Sequence, residues 1–308
     1  MRWKKLGLVY GPDGSQPWAQ SHAMLPTPIR LNASVIRVFI TCWDAKGIGR
    51  PCFVDISAND PRQVLRISQR PLLDLGQPGT FDENGVLVCS VSDMGDGHMY
   101  MYYSGYELGT KIPYRLLSGL AVSDDAGETF SRCKLAPILE RTDKELCFRC
   151  APYCRHEGGR FKLWYVAGSQ WTEVGGKSVP VYDVRYAESI DGMHWPDEGE
   201  VKIAVTDPDE HGLGRPCVIA HPRGGFRMFY SVRRRSLEAY RLGYAESMDG
   251  RTWNRMDDQL NLDVTPGSFD SDAIMYAAPL TVDGKLYLFY NGNNFGRDGF
   301  AVAVLEAE

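Results

Sequence analysis

Along most of the chain, apolar and polar residues alternate in short runs broken by Gly, Pro, Asp or Asn. No segment sustains the i, i+3, i+4, i+7 apolar spacing of an amphipathic helix, so the pattern predicts strands joined by tight turns. Four runs are conspicuously aromatic: His98–Ser104, Arg160–Val166, Phe226–Ser231 and Lys285–Asn291. Val35–Thr41 is a weaker fifth. After three of them comes a strand–turn–strand signature, in which Tyr186–Trp195 and Tyr244–Trp253 are near copies and Ala121–Phe130 is a relative. Each passes from a β-type run through Ser, Asp and Gly to an aromatic residue.

A second register precedes the aromatic runs. An acid stands seven positions before a Pro or Cys in the pairs Asp82/Cys89, Glu145/Pro152, Asp209/Pro216 and Asp272/Pro279; the acids are 63, 64 and 63 residues apart. One further step back falls on Ala19, with Pro26 seven residues later. Five such units nearly fill the 308 residues. Repeats of this length, made of short strands, are propeller blades. The expected fold is therefore all-β: one five-bladed β-propeller domain over residues 1–308, with blades of three to four antiparallel strands. The last unit stops after the strand at Gly299–Leu305, so the N-terminal strand Lys5–Tyr10 is expected to complete it and close the ring.

Composition narrows the function. With 34 basic and 39 acidic residues the net charge is −5, and no long apolar run is present, so neither nucleic acid nor a membrane is an expected partner. No signal-peptide pattern opens the chain, which points to a cytoplasmic protein with its eight cysteines reduced. Cys147, Cys150, Cys154 and His156 have some zinc character, but inner-strand alternation sends Cys147 and Cys150 to opposite faces, so no metal or other cofactor is expected.

In a propeller the loops entering the innermost strands converge at one end of the axis. The repeated acids would then meet there as a functional cluster, or serve individually as turn and strand-entry residues. Asp82, Glu145, Asp270 and Asp272 are the candidates. Arg50, Arg149 and Arg215 lie in or near the inner strands, where they would bind an anion or neutralise the acids. Trp43, Tyr106 and Trp171 follow second strands and would form a wall for a sugar, or simply pack. Trp164, Trp195 and Trp253 belong to the repeat and are core. Arg233–Arg235 reads as a solvated hairpin tip or an anion contact, and Asn291–Asp298 as a turn-rich loop.

The five-unit pattern, the aromatic second strands and the Ser-x-Asp-Gly-x-x-Trp turns resemble the five-bladed propeller superfamily of glycoside hydrolases, families 43, 32 and 68, and the family 130 phosphorylases. The turn Ser123–Phe130 is also similar to the Asp-box of sialidases, a structural hairpin. In families 43 and 32 the resemblance implies a first-blade carboxylate as base or nucleophile, a second-blade Asp matched by Asp82, and a third-blade general acid matched by Glu145. The first blade departs from that pattern: Ala19 stands at the equivalent position, and His22 is the neighbouring candidate. Glycoside cleavage ordinarily needs two carboxyl groups, so Asp270 or Asp272 across the axis, or Asp44 or Asp55 from later first-blade segments, would complete the set. The expectation is a carbohydrate-active enzyme of hydrolase or phosphorylase type. The alternatives are a sugar-binding propeller without catalysis, or a biosynthetic enzyme acting on a nucleotide-linked or acidic sugar.

Overall fold

The computed structural model describes residues 1–308 and is almost entirely β. Strand β1 (Arg2–Tyr10) is followed by β2 (Ser21–Arg30), β3 (Val35–Trp43), β4 (Gly49–Ser57) and β5 (Val64–Ile67), of which the last four pair in sequence order. The same meander recurs as β6 (Val86–Gly95), β7 (His98–Leu108), β8 (Tyr114–Ser123) and β9 (Ser131–Arg132). It recurs again as β10 (Phe148–Glu157), β11 (Arg160–Val174), β12 (Lys177–Ser189) and β13 (Glu200–Ile203). The fourth unit is β14 (Glu210–Ala220), β15 (Phe226–Arg234), β16 (Ala239–Ser247) and β17 (Asn254–Arg255). In the fifth, β18 (Met275–Val282), β19 (Lys285–Asn291) and β20 (Phe300–Ala307) are joined by β1, which runs antiparallel to β20 from Arg2↔Ala307 to Tyr10↔Phe300. The expected aromatic runs are the second strands of these units, and the N-terminal segment is the outer strand of the last.

The first strand of each unit touches the first strand of the next, and β18 touches β2. Short parallel pairings, β8 with β10 and β12 with β14, link the second unit to the third and the third to the fourth.

The hydrophobic core is divided into seams between neighbouring units. Ile36, Val38 and Val54 of the first unit pack on Phe289, Phe300 and Val302 of the fifth. Phe39 and Phe53 pack on Val86, Val88 and Met101 of the second, and comparable seams join the second to the third, the third to the fourth and the fourth to the fifth. Each fully buried side chain of this kind contributes about 1.5–3 kcal/mol, so the seams dominate the stability.

All five first strands carry a bulge in mid-course. In four of them a residue at the bulge takes left-handed backbone: Leu25, Ala151, Arg215 and Tyr276. Three of these precede Pro26, Pro152 and Pro216, which fit because a bulge frees one position from donating to the ladder. The bulge also explains where the acid–Pro register slips. In the fifth unit it falls at Tyr276–Ala277, so the position seven residues upstream is Asp270, not Asp272.

Strand β1 is held by more than its ladder. Lys5 Nζ contacts the carboxylate of Asp270, a residue with no solvent exposure, and also donates to Asp263 O and Thr265 Oγ1. Removing one partner of a buried pair leaves the other charge uncompensated. Lys5→Met is therefore expected to lower the free energy of unfolding by about 3 kcal/mol, read from urea denaturation, and adding Asp270→Asn should recover part of the loss.

Candidate functional site

The repeated acids do not meet in a common cavity; each is enclosed within its own unit. Asp82, without solvent exposure, accepts from Tyr103 Oη at 3.0 Å, from Arg132 Nε at 2.7 Å and from Thr80 Oγ1 at 2.9 Å. Glu145 is equally buried: Tyr165 Oη lies 2.8 Å from Oε2, Arg185 Nη1 3.1 Å from Oε1, the Gly199 N–H 3.0 Å from Oε1, and Arg149 Nε 2.5 Å from Oε2. Asp270 has Lys5 and, at 3.4 Å, Tyr290 Oη. In the fourth unit the buried acid is Glu210, gripped by Arg255, while Asp209 lies at the surface end and holds Ser236.

The tyrosines of these clamps, Tyr103, Tyr165 and Tyr290, are equivalent residues of the second strands, as is Tyr230 of the fourth unit, which donates to Asp257 instead of Glu210. On the third strand, Gly119 faces Tyr103 and Gly243 faces Tyr230. A Cβ at Gly119 or Gly243 would come within 2.3 Å or 2.2 Å of the ring, so glycine is what lets the phenol fold inward. The first unit lacks both partners: Ile40 replaces the tyrosine and Ala19 the acid, and the two share one apolar cluster. Acid and phenol are lost together, as a structural pair would be. Asp82 and Glu145 thus have filled hydrogen-bond shells, whereas Asp270 keeps one buried oxygen, Oδ1, without a partner; the expectation that the three converge as a catalytic set finds no shared cavity that they line. Asp272 is corrected too: it is exposed, and its backbone N–H is anchored by Asn293 Oδ1.

What the units do share is a cavity of about 670 Å³, lined from all five of them and containing no carboxylate. Its floor is Arg215, only 2% exposed, which donates to Tyr276 O, Pro26 O and Thr27 Oγ1 and whose Nε has no partner. Arg233, on β15, faces it with no hydrogen bond or ion pair, its Cζ 5.0 Å from the Tyr240 ring centre. Lys46 stands at the rim, also unpaired, because its neighbour Asp44 is engaged by Arg50.

The walls are aromatic. Tyr106 stacks on Tyr114 at 4.8 Å, the hydroxyls of Tyr182 and Tyr240 are 3.1 Å apart, and Tyr240 leans on Tyr276 at 5.5 Å. Burial pushes the phenols of Tyr106, Tyr114, Tyr182 and Tyr276 up, Tyr106 to about 12, so these hydroxyls stay protonated at neutral pH. They are hydrogen-bond groups here, not bases.

Of the sequence candidates, the cavity gathers Trp43, Tyr106 and Arg215. His22 and Trp171 lie one layer behind. His22 stacks on Trp43 with ring centres 3.8 Å apart, and Trp171 packs edge-on against Tyr114. Arg50 is bound by Asp44 and Asp74, and Arg149 by Glu145 and the carbonyls of Glu140 and Pro196, so neither reaches the cavity. Of the run Arg233–Arg235, Arg233 lines the cavity from β15.

Sequence reasoning missed Tyr114, Tyr182, Tyr240, Tyr276 and Phe295. A signal existed for two: Tyr182 and Tyr240 each stand four residues before the repeated Tyr186 and Tyr244. Phe295 sits in the loop after β19, where Asn294 (φ 51°, ψ 46°), Phe295 (φ 59°, ψ 31°) and Gly296 (φ 78°) form a left-handed turn. A non-glycine residue costs about 1–2 kcal/mol in that conformation.

The clamps and the buried histidine generate two expectations. Glu145→Gln should lower stability by about 3 kcal/mol, because the buried Arg149 loses its counter-charge. The check is paired urea denaturation and ligand titration, with affinity for the cavity unchanged. Burial lowers the pKa of His22 from 6.5 to about 4, against the opposing effect of a hydrogen bond from the ring to the Asn294 carbonyl. The unfolded chain therefore takes up a proton that the folded chain refuses, and stability falls as the pH drops from about 6.5 to about 4. In His22→Asn, which tolerates left-handed backbone, the slope of unfolding free energy against pH over that window should become shallower.

No family model matches the chain. Solved structures share its fold at low identity. A glycoside hydrolase superposes with a TM-score of 0.74 at 18% identity, covering 99% of this chain and 92% of its own. A glycosyl hydrolase from Bacteroides ovatus gives 0.72 at 16%, covering 98% and 93%. A structure described under the GH130 family of mannoside phosphorylases gives 0.67 at 14%, covering 98% and 96%. The fold is thus that of the propeller-type glycosidases, as the resemblance implied. In sequence, two Mycobacterium tuberculosis proteins, "Uncharacterized protein MT1551" and "Uncharacterized protein Rv1502", are each 32% identical over 306 residues, spanning 99% of this chain and 100% of theirs. With that identity held from end to end, the chain belongs to the same protein family as these two mycobacterial proteins.

Proposed function

We propose that the five units are the blades of a five-bladed propeller, closed by β1, and that its axial cavity binds an anionic carbohydrate. Two observations support the ring: the contacts of the first strands return from β18 to β2, and one apolar seam lies at each of five junctions. The ligand reading is carried by a single observation. Arg215 and Arg233 face a cavity in which no carboxylate balances them. A buried or half-buried cation without a counter-charge is costly, and a bound anion removes that cost. The aromatic walls offer flat apolar faces with hydroxyl handles, which suit a sugar ring. The likeness to glycoside hydrolases favours a sugar over other anions.

Cleavage by a pair of carboxylic acids has little support in this arrangement. That mechanism needs two carboxyl groups about 5–10 Å apart on either side of the scissile bond, and the cavity lining contains none. Glu145 and Asp82 would have to leave shells of arginine and tyrosine to take part. Binding of an acidic or phosphorylated sugar, with chemistry that does not use a carboxylate pair, fits the site better.

Calorimetric titration with glucose, glucuronate and glucose 1-phosphate at low salt tests the reading. The two anions should bind at least about tenfold more tightly than glucose, and Arg233→Met should abolish that difference. Equal affinity for glucose and glucose 1-phosphate would overturn it. So would rapid cleavage of an aryl glycoside that Glu145→Gln abolishes without loss of stability.

A further inference from the structure

Phe295 is held in a conformation that its packing does not explain. It is 37% exposed, yet it occupies the middle of a left-handed turn that an unbranched loop would avoid. The turn is pinned from both sides. Asn291 Nδ2 donates to Ala23 O and Gly299 O, while Asn293 Oδ1 accepts from the N–H groups of Asp272 and Ala273. The result is a ring standing at the cavity, its edge toward Tyr240 with centres 6.2 Å apart. Tyr240 also carries the unpaired Arg233 over its face. An aromatic ring and a cation without an ion-pair partner thus both adjoin one tyrosine at the cavity, and Lys46 adds a second unpaired cation at the rim.

We propose that the anion taken by this cavity is joined to a flat aromatic group, so that the ligand is a nucleotide: a nucleoside diphosphate, free or linked to a sugar. Its base stacks on Phe295, and its phosphates face Arg233 and Lys46. The inference rests on the anion reading of the cavity and extends it to the rest of the ligand. Two unpaired cations suit a diphosphate better than a single carboxylate, and a cavity of about 670 Å³ has the size of sites for extended small molecules. Phe295 here is a specificity-determining residue, and the strain of its turn is what fixes the ring in place.

The test is titration of the full chain with UDP, ADP, inorganic pyrophosphate and glucose 1-phosphate, for the wild type, Phe295→Ala and Phe295→Gly. At least one nucleotide should bind about tenfold more tightly than pyrophosphate, since stacking of a base on an aromatic ring contributes on that scale. Phe295→Ala should erase this preference and leave pyrophosphate affinity unchanged. Phe295→Gly should do the same while raising the melting temperature above that of the alanine variant, because glycine accepts left-handed backbone freely. If pyrophosphate binds as tightly as both nucleotides, or Phe295→Ala weakens nucleotide and pyrophosphate alike, the nucleotide inference is overturned while the anion reading stands. If none of the four compounds binds, both are overturned.

Discussion

The first strands are held around the cavity by one repeated contact: four of the five units reach across to the bulge in the next unit's first strand with one buried hydrogen bond. Val88 donates its N–H to Thr41 Oγ1, Ala151 to Ser104 Oγ, Tyr276 to Ser231 Oγ and Leu25 to Asn291 Oδ1, all at 2.8–3.0 Å. A bulge frees a backbone N–H that would be costly if left unpaired in the interior. The acceptors all stand at the last positions of the aromatic runs. At the junction between the third and fourth units Val166 occupies that place, and the parallel pairing of Tyr182 with Gly212 joins the strands instead. There the bulge residue is Arg215, whose guanidinium spans to carbonyls of the fifth and first units. The same junction that lacks the ordinary bond therefore supplies the cation on the cavity floor.

Buried charge is managed separately, one layer away from the cavity. Every acid that penetrates a unit arrives with an arginine or lysine, and most also with a phenol, so the interior contains pairs and not isolated ions. The cavity is the exception, with cations but no acids. The contrast between the two layers makes the cations of the cavity meaningful: this chain pairs its buried charges elsewhere, and Arg233 is left unpaired where a ligand would sit.

The architecture was legible because strand alternation, turn chemistry and a period near 63 residues all act locally and repeat. The site was less so. Asp82 and Glu145 stand out in sequence by their spacing, but spacing does not say whether an acid faces a hole or a neighbour's arginine. That is decided by Arg132 and Arg185, which lie 50 and 40 residues downstream. Between Asp270 and Asp272 the sequence does not choose, because the bulge in the fifth unit shifts the register by an amount the sequence does not mark. Trp43, Tyr106 and Arg215 were found because they sit at repeat positions. Phe295 was not, since its place depends on a left-handed turn fixed by two asparagines whose side chains act over long separations in the chain.

The pairing of Arg2–Tyr10 with Phe300–Ala307 has a consequence for biosynthesis. Strand β1 has no partner until β20 has been made, so Leu6 and Val9, which end packed on the seam between first and fifth units, stay uncovered while the residues between are synthesised. Four units can assemble as they emerge, but the cavity is incomplete until β18 and the Phe295 turn are in place. The lining of the cavity is thus complete only once the fifth unit has been made.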